Sequence, residues 1–291
     1  MNRMIGLLLL LATLLTHGST VKAQLVKCRI CDVKTGEGIA FSSIATRDAK
    51  KGCCSDIDGY FFANLNDTVR VSSLGYLPKN TVVVNTPSID NTRIVFLEQT
   101  AIHIQELKVF GRNKEKRNYI SLTSYKNKDE KGTCCSRPGY QVAVQMENNL
   151  NSEGLIEKLI FKLKLDGAKK HTCNLRLRIY DVKNTSQKLP GNDLLFENVI
   201  VKPKNGWVTV DVSKYNVPFL KGGVFVGLEW MELNTMATSN ERLNPGLCYF
   251  FGNGGAKTLT NFRENGWRSD NFIDQVGPGC MILKMEVSVK R

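Results

Sequence analysis

Along most of the chain, apolar and polar residues alternate one for one. Leu159, Phe161 and Leu163 alternate with Lys158, Ile160, Lys162 and Lys164, and Leu175, Leu177 and Ile179 with Arg176, Arg178 and Tyr180. Val208, Val210 and Val212 alternate with Trp207, Thr209 and Asp211, and Met281, Leu283, Met285, Val287 and Val289 repeat the pattern near the end. A period of two puts each set of side chains on its own face of a strand, so these runs predict strands packed on one side and solvated on the other. Turn signals separate them, among them Thr35-Gly36-Glu37-Gly38, Asp58-Gly59, Pro190-Gly191-Asn192, Asn205-Gly206 and Gly277-Pro278-Gly279. Beyond the N-terminal region no window of 12 or more residues carries a helical period. Many short strands with regular turns predict an all-β protein of sandwich type.

The N-terminus departs from this pattern. Arg3 precedes an apolar run of 11 residues, Ile5 to Leu15, and Val21-Lys22-Ala23 then offers small residues at a cleavage position. This reads as a secretory leader, residues 1–23, cut after Ala23. The run is too short for the ~20 residues that a membrane-spanning helix needs. Cys28 follows Lys27, where a lipoprotein signal places a small residue. The remaining 268 residues suit two domains. The charged stretches 111–117 and 126–132 mark a linker over 112–133, between a domain at 24–111 and a larger one at 134–291.

Net charge is +13, or +11 without Arg3 and Lys22 of the leader, spread as +1 over 24–111, +4 over 112–133 and +6 over 134–291. The basic residues alternate along strands instead of clustering. That fits a solvated sheet face, or an anionic partner such as an acidic glycan, and together with the leader it argues against nucleic acid.

Residues 25–111 carry a set of motifs. The opening strand ends in Asp32, Thr35-Gly36-Glu37 follows, then Gly52, Asp56, Asp58-Gly59 and Phe61, and later Gly75-Tyr76. This set resembles the carboxypeptidase-like regulatory domain, a transthyretin-like sandwich of seven strands. Gly38 stands where the family has proline, and Cys53-Cys54 where it has small β-formers. The segment from Ile104 to Gly111 resembles the stretch that joins such a domain to the plug of TonB-dependent outer-membrane receptors. The 180 residues after it are too few for a receptor barrel of that kind. The resemblance therefore implies a binding or accessory role in the envelope of a Gram-negative bacterium.

Enzymatic chemistry finds little support. His103-Ile-Gln-Glu106 has the spacing of a zinc-carboxypeptidase motif. In a strand its ends point apart, and His171 is the only other histidine after the leader. No Gly-x-Ser-x-Gly elbow and no nucleotide-binding glycine motif occurs. Glu229 and Glu232 beside Trp230 are the best carboxylate pair for glycoside hydrolysis, although a strand would point them apart too. Asp56-x-Asp58-Gly59 suits turn chemistry better than calcium, because position 12 is Asp67 and no helices flank it. Cys28 and Cys31 lack the second ligand pair of a zinc site, so the nine cysteines read as small buried apolar residues. No catalytic, cofactor-binding or metal-binding residue is assigned, and no cofactor is expected.

In the second domain, Leu175-Arg-Leu-Arg-Ile179-Tyr180-Asp181-Val182 followed by Leu189-Pro190-Gly191-Asn192-Asp193-Leu194-Leu195, Asn205-Gly206-Trp207 to Val212, and Val224 to Gly227-Leu228-Glu229-Trp230 resemble pieces of the jelly-roll-like sandwiches that follow export signals in Gram-negative bacteria, some of which bind carbohydrate. Its tryptophans divide by position. Trp230 lies in an apolar run and is expected in the core. Trp207 falls on the polar phase of its strand, and Trp267, in Asn265-Gly266-Trp267-Arg268, is expected on an exposed loop. Trp267 and Trp207 are thus the candidate ligand-binding residues. The expected function is a non-catalytic, exported envelope protein, periplasmic or at the cell surface, that binds a protein partner. The alternative is carbohydrate binding through the C-terminal sandwich.

Overall fold

The computed structural model describes residues 24–84, 90–100, 117–125, 132–150, 152–167, 172–183, 186–238, 243–251, 255–263, 266–269 and 279–290. Residues 1–23, read above as a leader, the segment with His103 and Glu106, and His171 lie outside them. Among the described residues the protein is all-β, with one 3-10 turn at Ser213–Tyr215 and no α-helix. None of these elements is a helix long and apolar enough to cross a membrane.

The first sandwich has seven strands in two sheets. In one, β1 (Leu25–Asp32) lies between antiparallel β4 (Tyr60–Asn64) and parallel β7 (Thr92–Leu97). The other runs β3 (Lys51–Cys54), β2 (Ser43–Thr46), β5 (Thr68–Ser72), β6 (Lys79–Val82). The inward residues of alternating strands meet between the sheets: Cys28 and Ile30 of β1, Phe61 and Ala63 of β4, Val69 and Val71 of β5, Val95 and Leu97 of β7. Each large aliphatic or aromatic side chain withdrawn from water in this way contributes ~1.5–3 kcal/mol.

The second sandwich has its own core. One sheet is ordered β13 (Leu189–Asp193), β12 (Leu175–Lys183), β17 (Val224–Trp230), β10 (Tyr140–Met146), β20 (Thr258–Phe262), β21 (Trp267–Ser269), and β14 (Val199–Val201) also pairs with β12. The other is ordered β22 (Gly279–Met281), β19 (Leu243–Phe251), β11 (Gly154–Lys164), β23 (Leu283–Lys290), β8 (Arg117–Thr123). Here β15 (Gly206–Asp211) and β16 (Pro218–Phe219) also pair with β11, and β9 (Gly132–Ser136) with β19. Leu159, Phe161 and Leu163 face Leu177, Val226 and Trp230 in one buried cluster.

Two sequence expectations need correction. Arg117–Thr123, assigned to the linker, is strand β8 and pairs with β23 along its length. Its apolar residues Ile120 and Leu122 pack on the core, but its charged flanks hide that short alternation. Trp267, expected on a loop, is the first residue of β21, opposite Asn261.

One segment of the second half joins the two sandwiches. Cys54 N–H donates to Glu232 O at 2.6 Å, Asn234 N–H to Cys54 O at 2.8 Å and Phe62 N–H to Asn234 O at 2.7 Å. Three residues on, β18 (Ala237–Thr238) pairs with β3. The run 232–238 thus covers the outer edges of β3 and β4, strands of different sheets, and removes two templates for unwanted pairing.

The motif residues of the first sandwich have structural work. Asp32 accepts from Lys34 N–H at 2.7 Å, Thr35 N–H at 3.1 Å, Tyr76 Oη at 3.0 Å and Gln99 Nε2 at 2.6 Å. These bonds, that from Lys34 foremost, hold its carboxyl below the usual range. Asp56 Oδ1 accepts from the N–H groups of Asp58 and Tyr60 at 3.0 and 2.8 Å, which closes the turn into β4. Gly59 has φ +85°, and a Cβ there would sit 2.6 Å from Ile30 O and 2.9 Å from Ile39 N. Gly59→Ala is therefore expected to lower stability by about 1–3 kcal/mol. Gly36, at φ +72° with open space around it, should cost less when made alanine. Equal losses in urea unfolding would show that close packing at Gly59 does not matter.

Candidate functional site

The outward face of the β12–β17 sheet looks polar and solvated in the sequence, yet the first sandwich sits on it. Antiparallel register places Arg176 beside Glu229 and Arg178 beside Gly227, and both arginines reach the Glu229 carboxylate. Arg176 donates to Glu229 at 2.7 and 3.0 Å, and Arg178 at 3.1 Å. Arg178 also donates to Asp193 at 2.9 Å. Arg176 and Glu229 are each only 2% exposed.

This cluster ties the domains together. Arg176 also donates to Phe41 O at 2.5 Å and Ser43 Oγ at 2.7 Å in the first sandwich. Arg263, at the end of β20, reaches Ala49 O at 2.7 Å. Gly52 and Gly139 make way for it, since a Cβ at either would lie within 3 Å of the Arg263 side chain.

The electrostatics follow from burial and pairing. Burial alone would raise the Glu229 carboxyl, but the guanidinium groups of Arg176 and Arg178 outweigh it and hold the group at about 2. Asp193 shares one guanidinium, and there burial wins, so its carboxyl is raised despite Arg178. Glu232, the other half of the proposed carboxylate pair, has left the sheet for the segment that covers the first sandwich. An ionised Glu229 bonded to two arginines has no proton to donate near neutral pH.

A cleft of about 270 Å³ opens beside the cluster. Ser43, Ser72, Ser73, Leu74 and Pro78 of the first sandwich form one wall, and Gln141, Arg178, Tyr180, Asp193, Asn261 and Trp267 of the second form the other. A narrower space of about 30 Å³ shares Ser43, Ser72 and Gln141 and runs in toward Cys53, Cys54 and Glu229. Tyr180 donates to Gln141 Oε1 at 2.9 Å, and burial raises its hydroxyl far enough to keep it a neutral donor. Trp267 meets Tyr180 edge to face, with centroids 5.4 Å apart and planes at 75°. Asn261 Oδ1 is buried with no hydrogen-bond partner.

The two tryptophan candidates do not converge. Trp207 lies on β15 of the other sheet, 40% exposed, with Lys284 Nζ 4.3 Å and Lys162 Nζ 5.7 Å from its ring centre. The two rings sit on the outer faces of different sheets and cannot stack on one small ligand. Trp230 is fully buried, and its indole N–H donates to Pro245 O at 2.8 Å. Cys28, Cys31, Cys53, Cys54, Cys173 and Cys280 are buried thiols, raised by desolvation above their usual range. Among the described residues no three His, Cys, Asp or Glu side chains are grouped to hold a metal ion.

Much of the outer face of the β4–β1–β7 sheet is exposed among the described residues. Leu25, Ile94 and Phe96 are 57%, 53% and 42% exposed there. Between them, Lys27 Nζ lies 4.0 Å and the Arg29 guanidinium 5.1 Å from the Tyr60 ring centre.

No protein-family model and no curated protein matches the chain. Solved structures with slight similarity include three of infectious bursal disease virus. The virus-derived T=1 particle shares 9% identity over 91% of this chain and 61% of that one, at a TM-score of 0.23. The VP2 subviral particle shares 9% over 91% and 63%, at 0.22, and the Gx strain structure 10% over 91% and 64%, at 0.21. The chain spans a little under two thirds of the length of each. Superpositions at that level do not establish a common fold.

Proposed function

We propose that this is a non-catalytic, exported accessory protein of a Gram-negative envelope, and that it binds a protein partner through the exposed outer face of the β4–β1–β7 sheet of its first sandwich. The observation that carries this reading is the group of exposed apolar residues Leu25, Ile94 and Phe96 around Lys27 and Arg29. A central cation pair with an apolar surround fits a partner segment that carries acidic and apolar residues, and β7 offers the neighbouring sheet edge. Export is supported by the leader-like residues 1–23, and an envelope role by the regulatory-domain motif set. The absence of a catalytic role is supported by Glu229, the best acid candidate, being held in ion pairs.

The test is mild cross-linking in the producing cell, then recovery of the tagged protein at low and high salt. One envelope protein in near-equal amount is expected, retained at high salt, lost with Ile94→Glu/Phe96→Glu and weakened by Lys27→Glu at unchanged melting temperature. The same partner at the same yield from the double variant would sink this reading. A second reading, carbohydrate binding by the second sandwich, is favoured by the aromatic and amide lining of the cleft.

A further inference from the structure

We infer that the cleft between the sandwiches is a composite site for a short, neutral, polyhydroxylated ligand, one or two sugar units in length, completed by the first sandwich. This rests on the carbohydrate-binding reading but differs in placement, because half of the wall comes from the domain that lies outside the C-terminal sandwich.

The chemistry of the walls selects the ligand class. Trp267 offers an aromatic edge and face beside Tyr180, the kind of surface on which the C–H side of a sugar ring packs. Gln141 and Asn261 add amides, which both donate and accept. The Arg178 guanidinium is taken up by Asp193 and Glu229, so the described lining presents no uncommitted positive charge to an anion. A ligand with alternating hydroxyl donors and acceptors meets this lining best.

Size and rigidity set the other limits. About 270 Å³ is small beside the ~300–1,000 Å³ of pockets for drug-sized molecules, so a long chain could place only a terminal unit here. The opposite wall does not drift, because Arg176, Arg263 and the β18–β3 pair lock the first sandwich in place. A site built before the ligand arrives spends less of its affinity on ordering.

The experiment is titration calorimetry of the full exported protein with neutral mono- and disaccharides and with the matching uronic acids. At least one neutral saccharide is expected to bind. Trp267→Ala and Asn261→Leu should each weaken it about tenfold, Ser73→Trp should abolish it by filling the first-sandwich wall, and Trp207→Ala should leave it unchanged. Melting temperatures separate lost binding from lost fold. Binding lost with Trp267→Ala but kept with Ser73→Trp would overturn the composite site and leave carbohydrate binding standing. Binding of uronic acids alone would overturn the ligand class. Loss with Trp207→Ala alone would move the site to the other sheet, and no saccharide binding at all would overturn both readings.

Discussion

Glu229→Gln is expected to lower stability by about 3–5 kcal/mol near neutral pH, the range for breaking a buried ion pair. The carboxylate holds two guanidinium groups out of water. With glutamine in its place, Arg176 keeps only neutral acceptors, Phe41 O, Ser43 Oγ and Asn198 Oδ1, and Arg178 keeps Asp193. Because Arg176 also docks the first sandwich, the loss falls on the contact between domains as well as on the sheet. The effect carries a pH signature. Folding lowers the Glu229 carboxyl from its ordinary 4.5 to about 2, so its contribution is fully present above the higher value and fades as pH falls toward the lower. Asp193, raised by burial, acts in the opposite sense: its charge costs stability as pH rises past the unfolded value. Glu229 has two cationic partners and Asp193 shares one, so Glu229 governs the acid limb. In urea unfolding the gap between wild type and Glu229→Gln should therefore narrow from about pH 5 to about pH 3. A gap that stays constant over that range would show that the lost stability is not the charge of Glu229.

That cluster also marks how far the sequence could be read. Period-two alternation shows that a strand has two unlike faces, and Leu159, Phe161 and Leu163 against Lys158, Lys162 and Lys164 behave accordingly: the former are buried, the lysines half-buried or exposed. Alternation cannot say what covers the polar face. Arg176 and Arg178 have the same pattern as those lysines, yet they lie under another domain and are paired with Glu229, with four strands between them in the sequence. Only strand pairing brings those charges together, and pairing is not local information. The burial of the seven described cysteines was legible because a small buried thiol needs no partner. The turn roles of Asp56 and Gly59 were legible because they are satisfied within a few residues. The β21 assignment of Trp267 was not, because a strand of three residues beside a glycine has too little periodicity to register. The cleft was invisible for the same reason as the ion cluster, since its two walls come from residues 43–78 and 141–267.

Trp230→Ala is expected to have the other large effect, about 4–6 kcal/mol, which combines the loss of a buried tryptophan with a stranded backbone acceptor. Trp230 is fully buried, and its N–H bond to Pro245 crosses the core from β17 of one sheet to β19 of the other. Alanine would leave a cavity between the sheets and Pro245 O without that donor. Trp230→Phe keeps most of the volume and should cost about 1–3 kcal/mol, close to the price of the unmade bond alone. Glu229 and Trp230 are neighbours in β17 with side chains on opposite faces, so the two substitutions act on different interfaces. Trp230→Ala should weaken the second sandwich itself and, against a total stability of about 5–15 kcal/mol, bring it near unfolding. Glu229→Gln should loosen the joint between the sandwiches, so that the first begins to melt separately. Two resolved calorimetric transitions for Glu229→Gln and one lowered transition for Trp230→Ala are the expected pair of results. If Trp230→Ala also split the transition, the joint would depend on the packing of the second core, and the buried ion cluster would not be what fixes the first sandwich over the cleft.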